Sequence, residues 1–282
     1  MSQGKAENGR KKEFHLSDRD FRTISNIIGE RTGIVLSESK REMVYSRLAR
    51  RLRVLGLEHF SDYCDIVKGG DEQELAEFTN AITTNLTAFF REAHHFEFLH
   101  SHLLPLLRKT KKQHKLRIWS AGCSSGEEPY SLAITVRECM PENWDIKILA
   151  TDLDSNMINI GSNGVYGEER VEGLSPQRLR RWVQRGKGDN ADKVKMHPAL
   201  RELITFKQLN LMHEWPLKGP FDFIFCRNVV IYFDKQTQRN LFKRFAALVE
   251  AQSHLFIGHS ESLYKVSDQF ESLGKTIYRR FG

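Results

Sequence analysis

Cysteine is scarce in this chain, and its hydrophobic runs are short. Four cysteines, at positions 64, 123, 139 and 226, are spread over 282 residues and form no CxxC pair. Such spacing argues against a structural zinc or a disulfide framework and predicts a reducing, cytoplasmic location. No apolar run approaches the roughly 18 residues of a membrane-spanning helix, so we expect no direct membrane insertion.

Motifs for metal binding and for covalent catalysis are missing as well. The chain contains no HExxH and no GxSxG, and its eleven histidines show no metal-ligand spacing. His94 and His95 are adjacent, so they are not expected to share a helix face. The sequence therefore predicts neither a metal nor a covalent nucleophile.

The overall composition is that of an ordinary soluble globular protein, with 40% hydrophobic and 28% charged residues. The net charge of +7 favours an acidic partner. Nucleic acid, a membrane surface and an acidic protein face all satisfy that condition. Residues 1–13 are mostly polar and are expected to form a disordered tail without the apolar core of a signal peptide.

Residues 14–83 have the periodicity of helices and no strand-like alternation. Ser17 and Asp20 predict a first helix start, and Gly33 predicts its end. A second helix is expected over 39–55 and a third over 72–83. The second is rich in cations, which by default form a solvated face but also suit docking on acidic helices: Lys40, Arg41, Arg47, Arg50, Arg51 and Arg53.

Beyond residue 115, strands and helices alternate. Strands are predicted over 116–119, 145–150, 203–207, 221–226, 255–258 and 276–280. Helices are predicted around 132–136, 155–161 and 235–249. This order predicts an α/β fold with a doubly wound, mainly parallel sheet. Residues 165 to about 203 interrupt the alternation with a short helix and a polar stretch, which indicates an insertion.

The turn after the first of these strands is the strongest local signal of a binding site. It reads Ala-Gly-Cys-Ser-Ser-Gly over 121–126, which lets a backbone approach a ligand but departs from GxGxxG. Glu127 and Glu128 follow and would repel a pyrophosphate, whereas they suit an ammonium group or ribose hydroxyls. S-adenosylmethionine is therefore favoured over NAD. The alternative is that both glutamates only complement the helix dipole.

Two further strands end in polar residues. Asp152 closes the second strand, where an acidic residue commonly bonds a ribose, although such a residue also caps helices. Arg227 and Asn228 follow the buried strand at 223–226 and are candidates to hold a ligand carboxylate or the substrate. Tyr232 is a candidate to stack on a ring or to line the methyl path. The alternatives are an Arg227 ion pair with an acidic neighbour and a core position for Tyr232.

The segment from 83 to 92 is unusual for a plain linker, because it combines hydrogen-bonding side chains with Phe89 and Phe90. Its simpler interpretation is a capped helix start with a packed phenylalanine pair.

Four blocks, at 80–92, 119–131, 225–233 and 258–262, together resemble the chemotaxis receptor methyltransferase family, called CheR. The similarity runs from about residue 14 to the C-terminus. It implies an all-helical N-terminal domain at 14–83 and a linker with the first catalytic helix at 84–100. It also implies a class I S-adenosylmethionine-dependent methyltransferase domain at 101–282, with a β-rich insertion at about 165–205.

The resemblance also implies an activity: methyl transfer from S-adenosylmethionine to glutamate side chains of methyl-accepting chemotaxis receptors, without a metal, by a monomer. Family cofactor contacts would fall on Asn85, Thr87, Arg91, Glu128, Asp152, Asn210, Leu211, Arg227 and Asn228. Arg91 and Tyr232 would lie near the transferred methyl. Arg47, Arg50, Arg51 and Arg53 would meet the cytoplasmic helices of the receptor. Some members tether a receptor C-terminal peptide on the insertion, which is the least family-like part of this chain.

Two other functions share some of these features. A nucleic-acid methyltransferase would suit the positive charge, but position 227 onward reads Arg-Asn-Val-Val, without the prolines of amino-methylating enzymes. Cys226 follows a phenylalanine and ends a buried strand, unlike the thiol of cytosine C5 enzymes. A sensor that binds the cofactor without catalysis has the same binding residues, so activity alone separates it from an enzyme.

Overall fold

The computed structural model of the protein describes residues 12–282. The chain divides into two compact units. The first contains the residues up to Arg31 together with Val35–Ile82, and the second contains Thr32–Ile34 together with Thr83–Gly282.

The first unit is helical, as predicted. Its helices are α1 (Asp18–Thr32), α2 (Arg41–Leu55), α3 (Phe60–Lys68) and α4 (Glu72–Ile82). Ser17 and Asp20 cap α1 reciprocally: the Ser17 hydroxyl accepts the Asp20 N–H at 3.1 Å, and the Ser17 N–H donates to the Asp20 carboxylate at 3.3 Å. The helix α3 escapes the sequence-based prediction, because only one of its four buried residues, Val67, is aliphatic.

The second unit alternates helices and strands. Its helices are α5 (Ala93–Phe98), α6 (Leu104–Thr110), α7 (Glu127–Cys139), α8 (Ser155–Asn163), α9 (Pro176–Trp182), α10 (Pro198–Arg201) and α11 (Lys235–Ala247). Its strands are β1 (Lys115–Ala121), β2 (Asp145–Asp152), β3 (Val165–Gly167), β4 (Val183–Arg185), β5 (Lys193–Met196), β6 (Ile204–Gln208), β7 (Phe221–Cys226), β8 (Val249–Ile257), β9 (Phe270–Gly274) and β10 (Ile277–Arg280).

Seven strands form one sheet in the order β6-β2-β1-β7-β8-β10-β9. The first five pair in parallel, and β10 is antiparallel to both of its neighbours. The prediction of a mainly parallel, doubly wound sheet is confirmed. The edge strand β9 was not anticipated, because Phe270 is its only buried residue.

Helices cover both faces of this sheet, and successive residues of a strand point into the two hydrophobic cores on opposite faces. Ile118 and Phe225 belong to the core beneath α7, whereas Trp119 and Ile224 belong to the core beneath α11. Because both faces are buried, the strands read as continuous apolar runs rather than alternating ones.

The insertion forms a separate three-stranded antiparallel sheet in the order β3-β5-β4. Its presence confirms the β-rich insertion that the family resemblance implied. The periodicity of the sequence does not reveal these strands, since each has only three or four residues and at most two are buried. Within residues 12–282, no helix combines the length and apolar character needed to cross a bilayer.

A single carboxylate organises the loop that follows β7. Glu261 accepts backbone N–H groups from Asn228 (3.0 Å), Val229 (2.9 Å), Val230 (2.8 Å), Ile231 (3.3 Å) and Gly258 (2.5 Å). Burial raises the pKa of Glu261, and the hydrogen bonds from Gly258, Asn228, Ile231 and Val230 act in the opposite direction. The side chain thus joins the ends of two neighbouring parallel strands and holds the loop that carries Asn228.

Replacing this carboxylate is expected to destabilise the second unit. In Glu261→Gln, an amide NH₂ would face backbone donors, so we expect a loss of about 3 kcal/mol of unfolding free energy. All four tryptophans lie between residues 119 and 215, so urea unfolding followed by tryptophan fluorescence reports this unit alone. The exposed Glu250→Gln is the control and should change stability by less than about 0.5 kcal/mol. Equal unfolding midpoints for the two variants would contradict the role of Glu261.

Candidate functional site

The polar residues predicted from separate segments converge at one edge of the sheet. The strands β6, β2, β1 and β7 are consecutive neighbours and all run parallel, so their carboxyl ends meet there. Asn210, Asp152, Gly122 and Arg227 each follow or close one of these strands. Ligands of open α/β sheets bind at such an edge.

The turn between β1 and α7 is held by backbone hydrogen bonds and requires two glycines. Gly122 and Cys123 donate their N–H groups to the Thr151 carbonyl at 2.8 and 2.9 Å. Gly122 has φ +83°, and a Cβ there would collide with Val229. Gly126 has φ +100° and is the N-cap of α7. The absence of both side chains keeps this turn narrow and exposes its backbone to a ligand.

Asp152 is buried beside this turn. Its carboxylate accepts the N–H of Ser124 at 2.7 Å and the N–H of Asp154 at 2.9 Å. Burial is the main cause that raises the pKa of Asp152 to about 6. One of these bonds comes from the turn and the other from the loop after β2, and the remaining acceptor capacity of the carboxylate is available for hydroxyl groups.

Asp154 belongs to the site although sequence reasoning missed it. Its carboxylate accepts hydrogen bonds from Thr83 Oγ1 (2.9 Å) and Asn85 Nδ2 (2.7 Å), and it also caps α8 through the Asn156 N–H (2.9 Å). In the sequence it resembles an ordinary helix cap. The segment from 83 to 92 is thus anchored at the sheet edge and is more than a connection.

Glu128 and Arg227 form a buried ion pair across the site. Glu128 accepts from Ser120 Oγ at 2.7 Å and from Arg227 Nη1 at 3.3 Å. Burial is the main cause that raises the pKa of Glu128. The Arg227 side chain is only 2% exposed and also donates to the Arg91 carbonyl. The ion-pair interpretation of Arg227 is therefore correct, and its position at the sheet edge is compatible with ligand binding.

Glu127 faces away from the site and serves the structure. It is fully buried and accepts from Ser125 Oγ (2.7 Å) and from the guanidinium of Arg170 in the insertion. Tyr166 of β3 donates from its hydroxyl to the Ser125 carbonyl at 2.7 Å. The insertion therefore supports the glycine-rich turn from behind. Of the two glutamates expected to suit a ligand, only Glu128 lies beside the other site residues.

Arg91 lies in a strained segment. Phe90 (φ 54°) and Glu92 (φ 57°) on either side adopt the left-handed conformation that non-glycine residues rarely accept, and such strain clusters at functional sites. Arg91 Nη1 donates to the Leu86 carbonyl at 2.7 Å, and its other guanidinium donors have no protein partner within residues 12–282. Thr87 of the same segment is half-buried.

Glu92 ties this segment to the loop after β8. Its Oε1 accepts from the His259 N–H at 3.2 Å and from His259 Nδ1 at 2.9 Å. Burial by itself would raise the pKa of Glu92, but these hydrogen bonds and the charge of Arg227 hold that pKa below its usual value. Next to it, burial lowers the pKa of His95 to about 3.

The remaining predicted contacts lie in loops at the same edge. Asn228 has φ 59°, and its N–H is bound to Glu261. Asn210 Oδ1 accepts the Met212 N–H at 2.9 Å. Leu211 packs in the core beneath α11, and its carbonyl accepts a hydrogen bond from Arg244 Nη1 at 2.6 Å. Tyr232 is half-buried in a 3₁₀ turn.

Three of the four predicted docking arginines bind within the helical unit. Arg47 donates to the Ile82 carbonyl at 2.6 Å, Arg51 pairs with the buried Glu74, and Arg53 pairs with Glu13. Tyr63 also donates to Glu74 at 2.8 Å, which makes Arg51 part of a core network. Arg50 is exposed and has no ion pair within residues 12–282.

Comparison with known proteins gives a consistent result along nearly the whole chain. Residues 85–279 match the CheR methyltransferase SAM-binding domain, and residues 19–83 match the CheR methyltransferase all-alpha domain. A probable chemotaxis protein methyltransferase of Rhizobium etli is 44% identical over 252 residues, which are 88% of this chain and 94% of that protein. The chemotaxis protein methyltransferase of Salmonella typhimurium is 43% identical over 269 residues, 93% of this chain and 90% of that protein. The chain therefore belongs to the CheR methyltransferase family and is an S-adenosylmethionine-dependent methyltransferase.

Proposed function

We propose that this enzyme transfers a methyl group from S-adenosylmethionine to glutamate carboxylates on the cytoplasmic helices of methyl-accepting chemotaxis receptors. The products are glutamate methyl esters and S-adenosylhomocysteine. The observation that carries this proposal is the similarity to chemotaxis protein methyltransferases, which extends over both units of the chain and over at least 90% of each relative named above. The family signature alone would leave the acceptor open.

The residues at the sheet edge fit the cofactor. Asp152 offers a carboxylate to ribose hydroxyls, and Glu128 offers one to an ammonium group. Arg227 lies beside Glu128, and its buried Nε has no hydrogen-bond partner among the described residues 12–282. Bound S-adenosylmethionine supplies a methyl group activated on a sulfonium sulfur. The residues proposed to hold it are Asn85, Thr87, Arg91, Glu128, Asp152, Asn210, Leu211, Arg227 and Asn228.

A glutamate acceptor fits this site without a catalytic base. Its carboxyl group has an ordinary pKa of about 4.3, so it is already ionised at neutral pH. The enzyme then needs to orient the carboxylate and to exclude water. Apart from the bond to Leu86, the guanidinium donors of Arg91 have no partner in the described part of the chain and can bind a carboxylate, and Tyr232 lies on the loop after β7. We propose that these two residues line the acceptor position and that methyl transfer requires no metal.

The helical unit is the proposed docking surface for the receptor. Arg50 is the cation of the predicted set that has no ion pair in the part of the chain that the structure describes, whereas Arg47, Arg51 and Arg53 stabilise the unit and add positive charge. The net charge of +7 suits an acidic helical partner. We propose that the protein works in the cytoplasm as a monomer and neither binds nucleic acid nor inserts into the membrane.

A labelling assay tests this function. Methyl-labelled S-adenosylmethionine is incubated with a receptor cytoplasmic fragment or with DNA, and volatile methanol is counted after mild alkali. We expect alkali-labile label on the receptor alone. Arg91→Ala should lower the rate about 100-fold, because a misplaced carboxylate loses alignment with the methyl group. The exposed Arg108→Ala is the control and should match the unchanged enzyme.

Other outcomes identify the competing functions. Alkali-stable label on DNA would indicate a nucleic-acid methyltransferase. Cofactor binding without label on the receptor would indicate a sensor or a different acceptor. Equal receptor labelling by Arg91→Ala and Arg108→Ala would contradict the role of Arg91 while leaving the methyltransferase function intact.

Cofactor affinity should depend on pH through Asp152. Because the pKa of this carboxyl is about 6, its ionised form is lost as the pH falls through 6. If the ionised form binds the ribose, the Kd for S-adenosylmethionine should be about tenfold higher at pH 5 than at pH 7. Isothermal titration measures both values. Asp152→Asn should bind weakly at both pH values, and a tenfold change that persists in this variant would assign the effect to another group.

Arg50 should affect receptor recognition but not cofactor binding. Arg50→Glu is expected to lower the rate of receptor methylation about fivefold at low salt, and less at high salt, because the interaction is between exposed charges. The Kd for S-adenosylmethionine should be unchanged. Arg19→Glu makes the same charge change at an exposed position on α1. An equal loss of rate in both variants would show that net charge, rather than the face of α2, guides docking.

A further inference from the structure

Three potential metal ligands meet at the start of α5. Glu92, His94 and His95 each place one ligand atom within 4.8 Å of those of the other two. Glu92 precedes the helix in a left-handed conformation, and the rings of His94 and His95 lie 4.2 Å apart. The expectation that His94 and His95 do not share a helix face applies to a regular helix on both sides of the pair, whereas α5 begins only at Ala93.

Two of these ligand atoms are buried and have no hydrogen-bond partner within residues 12–282: Glu92 Oε2 and His95 Nδ1. They are 3.7 Å apart, in side chains that are 9% and 0% exposed. His95 Nε2 lies 3.1 Å from the Lys275 carbonyl, which can only accept a hydrogen bond. In the neutral ring, Nε2 therefore carries the proton, and the lone pair of Nδ1 faces the carboxylate.

Two facing lone pairs in a buried position are unfavourable unless an electron-pair acceptor lies between them. A neutral imidazole and a carboxylate are also the side chains that zinc and similar cations bind. His94 is half-buried and supplies a third ligand on the side that solvent reaches. The burial and the missing donor are what distinguish this group from an ordinary surface cluster.

We propose that Glu92, His94 and His95 form a binding site for a divalent transition-metal cation such as Zn²⁺. In a tetrahedral zinc site with bonds of about 2.0–2.1 Å, two ligand atoms lie about 3.3 Å apart. Glu92 Oε2 and His95 Nδ1, which are 3.7 Å apart, need to approach by only a few tenths of an ångström. The ligand atom of His94 lies within 4.8 Å of the other two, so His94 has to move by up to about 1.5 Å to complete the set.

The neighbouring charges limit the affinity of this site and connect it to the cofactor. Arg227 Nη2 lies 3.6 Å from Glu92 Oε2 and repels a cation, whereas Nη1 of the same guanidinium lies 3.3 Å from Glu128. His259 occupies the other carboxylate oxygen of Glu92. A bound cation competes with Arg227 for Glu92, so we expect metal and S-adenosylmethionine to weaken each other's binding. The metal would thus affect cofactor binding and would take no part in methyl transfer.

Zinc binding to the metal-stripped, full-length protein tests the proposal. Zn²⁺ is titrated against a chromophoric chelator, and Co²⁺ absorption in the visible range reports the ligand geometry. We expect one Zn²⁺ per chain, with at least tenfold weaker binding in His94→Ala and in Glu92→Gln. The exposed His100→Ala removes a histidine outside the cluster and should bind as the unchanged protein does. Tryptophan fluorescence during urea unfolding checks that each variant is folded.

The metal-free His94→Ala protein should retain its affinity for S-adenosylmethionine, because His94 contacts none of the proposed cofactor residues. In the unchanged protein, Zn²⁺ should raise the Kd for S-adenosylmethionine several-fold, and this effect should disappear in His94→Ala. Zinc binding that is absent, or equal in all four proteins, would overturn the proposal. These results do not depend on which acceptor the enzyme methylates.

Discussion

The candidate site depends on one requirement: the carboxylates that the fold buries at one edge of the sheet need hydrogen-bond donors. An unpaired buried charge costs several kcal/mol, so each such group must collect donors from the chain around it. Asp152 binds the glycine-rich turn, Asp154 binds the linker, and Glu261 binds five N–H groups of two loops. The loops that form the site are therefore held by the same groups that make the site polar.

Arg227 connects these anchored loops to one another. Its guanidinium contacts the Arg91 carbonyl, Glu128 at the start of α7 and Glu92 at the start of α5. The insertion reaches the same region through Arg170 on Glu127 and through the Tyr166 hydroxyl on the Ser125 carbonyl. We expect the loss of one of these contacts to weaken the others, because a buried network has no solvent to replace a lost hydrogen-bond partner.

Sequence reasoning identified the site residues at strand ends and missed those whose partners are distant in sequence. Asp152 and Arg227 are visible because each closes an apolar run where α/β folds bind ligands. Asp154 resembles a helix cap, and it is one, but its second carboxylate oxygen binds Asn85. The partners of Glu261 lie up to 33 positions away from it in sequence, and no local pattern reveals such a contact. Likewise, α3 and the short strands of the insertion bury too few aliphatic residues to produce a clear periodicity.

The sequence by itself determined the fold class, six of the seven strands of the main sheet in their chain order, and the family, because these follow from hydrophobic periodicity and from contiguous motifs. Tertiary structure alone decided which partner each polar side chain binds. It directed Glu127 to Arg170 and Glu128 to Arg227, and it assigned three of the four docking arginines to contacts within the helical unit. It also placed Glu92 Oε2 at 3.7 Å from His95 Nδ1, and neither atom has a hydrogen-bond partner among residues 12–282. The physical reason is that periodicity records whether a side chain is buried, whereas its partner is set by chain segments that are distant in sequence.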